Sequence, residues 1–509
     1  MKIFEHLTLR GVAFFGIFLH IATLLTLLDP DYFWHLRTGQ YILAHGGLPA
    51  GDIYSYTHPD KPWVLHEWLF EVVLYGVHQG FGDTGVRCLV GGLVTGTLLV
   101  SYATAKKFLS NAYGAFAITL VLYALIKLGI SPRPQLLTFL FVALTLRVLI
   151  GFKYFRESPH ALWSLPVLMV IWVNAHAGYA IGLGVMGLFL ITETVTYWLA
   201  TERDKGQWHR LKLLAGVVAL SVVASLINPY GYHHWLYPLQ VMGMEAARSY
   251  IAEWHSPDFH EGISKVYLLV VLGYFMISAY RNKRPDMTEL VLPAVVAGLG
   301  FVSVRHLPLA AVVLAPFMAM GMADMAPLQG RPGLLKEKIL RAYRKFRGED
   351  LGGKEYVLNA ILAAVVAVGL PLYAPGQLAA SQKEIEKMVP VKAVDFMLEH
   401  QIQCRMYATY HFGGYLIYKL YPDQKVFIDG RADMYGDDFM KEYIDISLGT
   451  ANWQKLLESH NVNCVLLGLD IPLRQLLKAS GDYVQIYQDE NHALLVRRSP
   501  EFERLIKVE

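Results

Sequence analysis

Residues 11–37 read GVAFFGIFLHIATLLTLLDPDYFWHLR. Residues 11–28 carry no charged side chain and are long enough to cross a hydrocarbon core. The apolar run stops at two carboxylates, Asp29 and Asp31, and gives way to a mixed aromatic and basic stretch. This pattern reads as a spanning helix that delivers acid to a membrane surface. The run lacks a small-residue cleavage site and reads as a signal anchor.

The rest of the chain repeats the pattern. It has 509 residues, 54% of them hydrophobic and 17% charged, where a soluble protein carries roughly a quarter charged. Near-continuous apolar runs fall at 11–28, 84–104, 113–129, 134–151, 161–175, 177–200, 211–227, 264–280, 288–304, 307–325 and 356–374. They predict a multi-span α-helical membrane protein of about eleven spans. The net charge of +3 and the lack of a basic stripe with interleaved aromatics exclude nucleic acid as a partner. Lys and Arg concentrate in every second connection: Lys106/Lys107, Arg147/Lys153/Arg156, Arg203–Lys212, Arg281–Arg284 and the cluster 336–354. The positive-inside rule puts these and the N-terminus in the cytoplasm, and the cytoplasmic turns are expected to carry mainly solvated charge. Segment 331–355 reads as a basic amphipathic helix on the inner leaflet.

Two domains follow: 1–375 in the membrane and 376–509 as an α/β domain outside it. The outer loop 29–82 holds amphipathic stretches at 33–45 and 64–79. In the tail, helices are expected at 391–399, 413–420, 437–446 and 453–460. Strands are expected at 404–409, 425–428 and 463–467, with a hairpin at 483–487 and 492–497. The three cysteines, Cys88, Cys404 and Cys464, have no metal-ligand spacing. Cys404 and Cys464 sit on strands outside the cytoplasm, where they can pair or remain as two core thiols.

Polar residues at span ends are costly and mark sites. On the charge-derived topology Asp29, Asp31, Arg133, Asn174, His176, Asn228, Tyr230, Glu253, Trp254, Arg305 and His306 all fall on the outer face. One outer polar pocket is the economical reading. The first loop adds His35, Asp52, His66 and Glu67. Two carboxylates one residue apart with a His four on, Asp31 and His35, can hold a divalent cation or polarise a hydroxyl. The alternatives are structural: Asp29 as a helix cap, Arg133 and Arg305 snorkelling to headgroups, and Asn174 and His176 closing a tight turn. Arg431, after Asp429-Gly430, can bind an acceptor or form an internal ion pair. Asp433 with Asp437 or Asp438 offers acidic oxygens without an EF-hand spacing.

The aspartate directly after the first span, the outer loop with two surface helices and the order of spans resemble the GT-C superfamily. These are membrane glycosyltransferases that use polyprenyl- or dolichyl-linked sugars. Asp31–Arg37, Pro49, Asp52 and Tyr54–Tyr56 are similar to the first outer loop of oligosaccharyltransferases, where acid and His lie near the metal and the lipid-linked donor. Arg305 resembles their donor-phosphate arginine. Tyr410-His411-Phe412-Gly413-Gly414-Tyr415 resembles the acceptor-recognising WWDYG region, but without its tryptophan pair or its aspartate. The turn expected to hold a second acidic motif reads Gly129-Ile-Ser-Pro-Arg133-Pro.

The resemblance implies an inverting sugar transfer from a polyprenyl-phosphate donor to a protein, lipid or glycan acceptor at the outer face of a bacterial inner membrane. Asp31 would be the base, assisted by Asp29. Arg305 with Arg133 or His306 would bind the donor phosphate. His35, Asp52, His66, Glu67, Asn174, His176, Tyr230, Glu253 and Arg431 would line the sugar and acceptor site. A Mg or Mn ion would sit at Asp31 and His35. The competing classes are a transporter or flippase of a lipid-linked glycan, which calls for mid-membrane polar residues and repeats, and a non-catalytic scaffold.

Overall fold

The computed structural model describes residues 8–109, 112–325, 355–450 and 452–506. The basic segment expected at 331–355 therefore lies outside the described residues, except for Glu355.

Thr8 accepts a hydrogen bond from Gly11 N and starts α1 (Leu9–Leu24). Asp29 caps α2 (Pro30–His45), with Pro30 in the first turn and Gly46 at φ 66 ending it, which are favoured residues at those positions. The next helix, α3 (Trp68–Phe108), is interrupted at Gly82, whose φ of 59 breaks the helical path. The break divides the second surface stretch from the apolar run that follows, near the junction expected at 82–84. Then come α4 (Ala112–Ile126), α5 (Gln135–Tyr154), α6 (Ser164–Ala175), α7 (Tyr179–Leu199), α8 (Lys205–Ala224), α9 (His233–Gly243), α10 (Glu245–Tyr250), α11 (Gly262–Tyr280), α12 (Met287–Val302), α13 (Leu307–Ala323) and α14 (Glu355–Met388).

Every expected span overlaps one of these helices. Among the described residues seven helices are long and apolar enough to cross a membrane by length and composition, and Leu9–Leu24, Pro159–Ala175 and Met287–Val302 are shorter apolar helices. The protein is a multi-span helical membrane protein. Its axis is α13, in which every residue from 307 to 317 is buried, packed by α3, α4, α5, α11 and α12. Leu199, Val223, Leu269, Met276 and Leu372 point outward and exposed, as expected for helices solvated by lipid tails.

Of the charges expected in these turns, Arg203, Lys205, Lys212, Lys283 and Arg284 are exposed, whereas Lys153 and Arg281 are paired. Lys153 Nζ lies 2.5 Å from Glu193 and 2.9 Å from Asp286. Arg281 bonds Glu289 and Asp324. Charge close to the hydrocarbon layer is stable only with partners, and apart from Glu289 the acids that provide them come from distant segments.

The C-terminal domain is a small four-stranded sheet with helices. The strands β1 (Met406–Ala408), β2 (Cys464–Gly468), β3 (Tyr483–Gln488) and β4 (His492–Arg497) are ordered β1-β2-β4-β3. β1 and β2 run parallel, and the remaining pairs are antiparallel. Cys404 and Cys464 form a disulfide with Cα atoms 6.1 Å apart. The expected strand at 425–428 does not join this sheet. Val426 forms a bridge with Ser55 of the loop between α2 and α3, with Val426 N donating to Tyr54 O at 2.9 Å and Tyr56 N to Val426 O at 3.0 Å. The apolar run VFI is buried as a strand would be, but its backbone partner is the loop.

Candidate functional site

One set of helix ends, the loop between α2 and α3, and the C-terminal domain enclose a cleft of about 770 Å³ that is partly open to solvent. Asp31, His35, His66, Glu67, Arg133, Glu253, Arg305 and Arg431 all line it. These eight run from position 31 to position 431 of the sequence. Polarity at the membrane boundary picked out Asp31, Arg133, Glu253 and Arg305, the first loop supplied His35, His66 and Glu67, and the Asp429-Gly430 turn of the tail pointed to Arg431.

Arg133 is the hub. Its Nε lies 2.6 Å from Asp29 Oδ2, and its Nη2 lies 2.9 Å from Asp31 Oδ2. Asp29 also accepts the amide of Asp31 at 3.0 Å, so the cap and the ion pair use the same carboxylate. Burial pushes the Asp29 carboxyl up, and Asp31 adds to this while Arg133 opposes it. Glu253 Oε1 stands between two guanidinium groups, 3.6 Å from Arg133 Nη1 and 3.5 Å from Arg305 Nη1. Arg305 also lies over the Trp254 ring, 5.2 Å from its centroid. Its side chain is 32% exposed, so it faces the cleft with capacity for a further anion.

A second cluster lies beside the first. His35 Nδ1 is 3.0 Å from Glu71 Oε1, and its Nε2 is 3.6 Å from Glu67 Oε2. Glu67 Oε1 meets His66 Nε2 at 3.0 Å and His176 Nε2 at 3.9 Å. Burial alone would raise Glu67, but His66, His35 and His176 hold it well below the usual carboxylate range. Burial pushes His176 down to about 3. Its Nδ1 accepts from Gly178 N at 3.1 Å and bonds Thr138 Oγ1 at 2.7 Å. That leaves Nε2 as the face toward Glu67. Among the described residues, His35, Glu67 and Glu71 form the one group whose ligand atoms all lie within 4.8 Å of one another, close enough to share a cation.

Of the remaining expected residues only Arg431 lines the cleft, while Asp52, Asn174, His176 and Tyr230 lie behind its lining and brace it. Asp52 is fully buried, binds Tyr54 N and Ser55 N, and meets Arg431 Nη1 at 2.8 Å. Arg431 is 2% exposed and also bonds Asp429 at 2.6 Å, so it takes the internal ion pair of its two alternatives. Its guanidinium stacks 4.4 Å from the Trp63 centroid. Asn174 accepts from Trp68 Nε1 at 3.0 Å and donates to Val170 O and Ile227 O, which ties the end of α6 to the head of α3 and to the segment after α8; His176, bonded to Gly178 N, is the residue that closes the turn. Tyr230 OH accepts from Leu65 N at 2.9 Å. His306 does not line the cleft.

The pair suggested for a cation, Asp31 and His35, is divided between two sets of partners. Arg133 occupies the inner oxygens of both aspartates, so a cation at Asp31 would have to compete with a guanidinium already there. The residues at Asp31 do not fit that ion.

Sequence reasoning passed over Glu71 and Tyr237, named Gly430 only as part of the turn before Arg431, and saw Asp433 only as a weak acidic group. Glu71 carried a signal: it lies four residues after Glu67, on the same helix face. Asp433 lines the cleft beside Tyr237, and burial pushes its carboxyl up. Gly430 touches Asp31 so closely that a Cβ there would collide with Asp31 Oδ1.

No protein-family model and no curated protein matches the sequence. Solved structures do. ArnT from Cupriavidus metallidurans bound to undecaprenyl phosphate aligns at a TM-score of 0.50 and 15% identity over 97% of this chain and 98% of that one. The same protein in its apo state gives 0.52 at 14% over 96% of each. The archaeal oligosaccharyltransferase AglB from Archaeoglobus fulgidus, in complex with an inhibitory peptide and a dolichol-phosphate, gives 0.57 at 11% over 92% of this chain and 70% of that one. The expected architecture and these alignments agree: this chain has the GT-C fold.

Proposed function

We propose that this protein is a membrane glycosyltransferase that moves a sugar from a polyprenyl-phosphate-linked donor to an acceptor at the outer face of a bacterial inner membrane. The observation that carries the reading is the convergence of Asp31, Arg133 and Arg305 in one cleft. The undecaprenyl phosphate bound by ArnT and the dolichol-phosphate bound by AglB support a lipid phosphate as the leaving group.

Asp31 acts as general base. Arg133 holds its Oδ2, and Oδ1, against Gly430, takes the acceptor proton as the acceptor attacks the anomeric carbon. One in-line displacement inverts that centre. Arg305 receives the charge that builds on the departing phosphate, with Glu253 restraining it. Asp29 keeps Arg133 in place and does not touch substrate. His66, Glu67 and Asp433 face the sugar. Residues 1–375 form the membrane domain and 376–509 an outer domain, with the N-terminus in the cytoplasm.

The test uses purified protein and a panel of polyprenyl-phosphate sugars. Asp31→Asn is expected to lower kcat by about 10²–10⁴-fold, and Arg305→Ala to raise KM for the donor. Unchanged transfer by Asp31→Asn would remove the base assignment.

A further inference from the structure

We propose that His35, Glu67 and Glu71 form a site for one Zn²⁺ ion that ties α2 to the head of α3 in the wall of the cleft. The site is distinct from the donor phosphate region and does not depend on the transferase reading.

The first argument is electrostatic. Glu67 and Glu71 are four residues apart on one helical face, and both are buried, at 8% and 0% exposure. Two carboxylates held together away from water require positive charge between them. His66 meets Glu67 on its other oxygen. Only the ring of His35 lies between the two acids.

The second argument is an orphaned atom. Glu71 Oε2 is buried and has no hydrogen-bond partner. A buried carboxylate oxygen without a donor is costly. His35 Nδ1 is engaged by the other oxygen of the same carboxylate. A cation bound to a ring nitrogen of His35 and to an oxygen from each acid supplies what Oε2 lacks.

The third argument is geometric. Zinc ligands lie at about 2.0–2.2 Å from the ion, so tetrahedral ligand atoms stand about 3.3 Å apart. The three ligand atoms are already within 4.8 Å of one another, and rotation of side chains on two adjoining helices closes the rest. One imidazole and two carboxylates suit Zn²⁺ better than Mg²⁺, which prefers oxygen ligands and its own waters. His66 and His176 form the outer layer, orienting Glu67 as second partners orient ligands in metal sites. Both His35 and Glu67 line the cleft, so the ion has an entry path. His35 is one helical turn from Asp31 on α2, so the ion would fix the helix that carries the base.

The experiment reads metal, not transfer. Full-length protein in detergent is stripped with chelator, dialysed against Zn²⁺ alone and assayed for bound metal by elemental mass spectrometry. A Co²⁺-loaded sample is examined for the visible absorption of four- or five-coordinate cobalt. The expected result is one equivalent of zinc per chain, a cobalt spectrum and a raised unfolding temperature. Glu71→Gln, which keeps the shape of the side chain, is expected to weaken binding by about 100-fold or more, and Asp31→Asn to leave it unchanged. Absence of stoichiometric zinc in the wild-type protein, or equal zinc in Glu71→Gln, overturns the proposal. The wild-type result stands by itself should Glu71→Gln fail to fold. Zinc bound by an Asp31→Asn protein that still transfers sugar would overturn the base assignment and leave this site intact.

Discussion

Asp31 is held from two sides by groups that do different things. Arg133 fixes one oxygen by charge, and Gly430 admits the other by having no side chain. The second contact makes a sharp prediction at the scale of one methyl group. Gly430→Ala puts a carbon where Asp31 Oδ1 lies, while Asp429 and Arg431 on either side stay bonded to each other. The added carbon has to move the carboxylate or the turn by an ångström or more. A displacement of that size costs on the order of 10²-fold in rate. The expected outcome is a fall in kcat of that order with the Kd for the donor lipid little changed, measured by turnover and by equilibrium binding of the donor. A kcat within a factor of two of wild type would detach Gly430 from the reaction.

Asp31, Arg133 and Arg305 were legible in the sequence because a charge at the end of an apolar run stands out by itself. Glu71 and Asp433 were not, since one is hidden inside an amphipathic stretch and the other follows a turn whose direction only the tertiary structure decides.

At the scale of elements, local signals succeeded where neighbours in sequence are neighbours in space. The cap at Asp29, the break at Gly82 and the hairpin of β3 and β4 are all of this kind. The segment 425–428 went the other way, because an apolar β-rich run states that it will be buried and extended but not which backbone it will pair with. The hairpin offers a test. Asp489 accepts from Asn491 N and His492 N at 2.8 Å each and from Tyr487 OH at 2.9 Å. Burial would raise its carboxyl, but these donors hold it below the ordinary value of 3.8. A depressed folded-state value stabilises the fold fully above 3.8 and loses that contribution as pH falls through the lower folded value. Wild type is therefore expected to unfold at a higher temperature than Asp489→Asn near neutral pH, with the gap narrowing as pH falls toward 3. A gap independent of pH would mean that the turn does not depend on the charge.

At the scale of the whole molecule, the C-terminal domain does not merely hang from the last helix. Gly414 packs against Pro30 O, Phe33 meets Tyr415 with ring centroids 5.1 Å apart, and Lys61 Nζ reaches Tyr435 O at 2.9 Å. The strongest joint is ionic. Arg431 from the tail lies between Asp52 of the first loop and Asp429 of its own turn, with Tyr435 OH on Asp429 at 2.7 Å. Asp52 in turn holds the amides of Tyr54 and Ser55, the same residues that carry the bridge to Val426. One guanidinium thus links the loop that carries Asp31 to the domain that covers it. Removing it leaves two carboxylates buried without a cation, and breaking a buried pair from one side costs about 3–5 kcal/mol. Arg431→Met keeps most of the volume and is expected to lose stability of that size, seen as a lower unfolding temperature. Proteolysis within 46–63 is expected to speed up, since the loop opens before the bundle does. The joint is also why activity should fall in this variant although Arg431 is almost fully buried. Without it Gly430 no longer abuts Asp31, and the cleft loses its roof before it loses any residue that touches substrate. A protein as stable and as protease-resistant as wild type would show that the apolar contacts alone hold the domain in place.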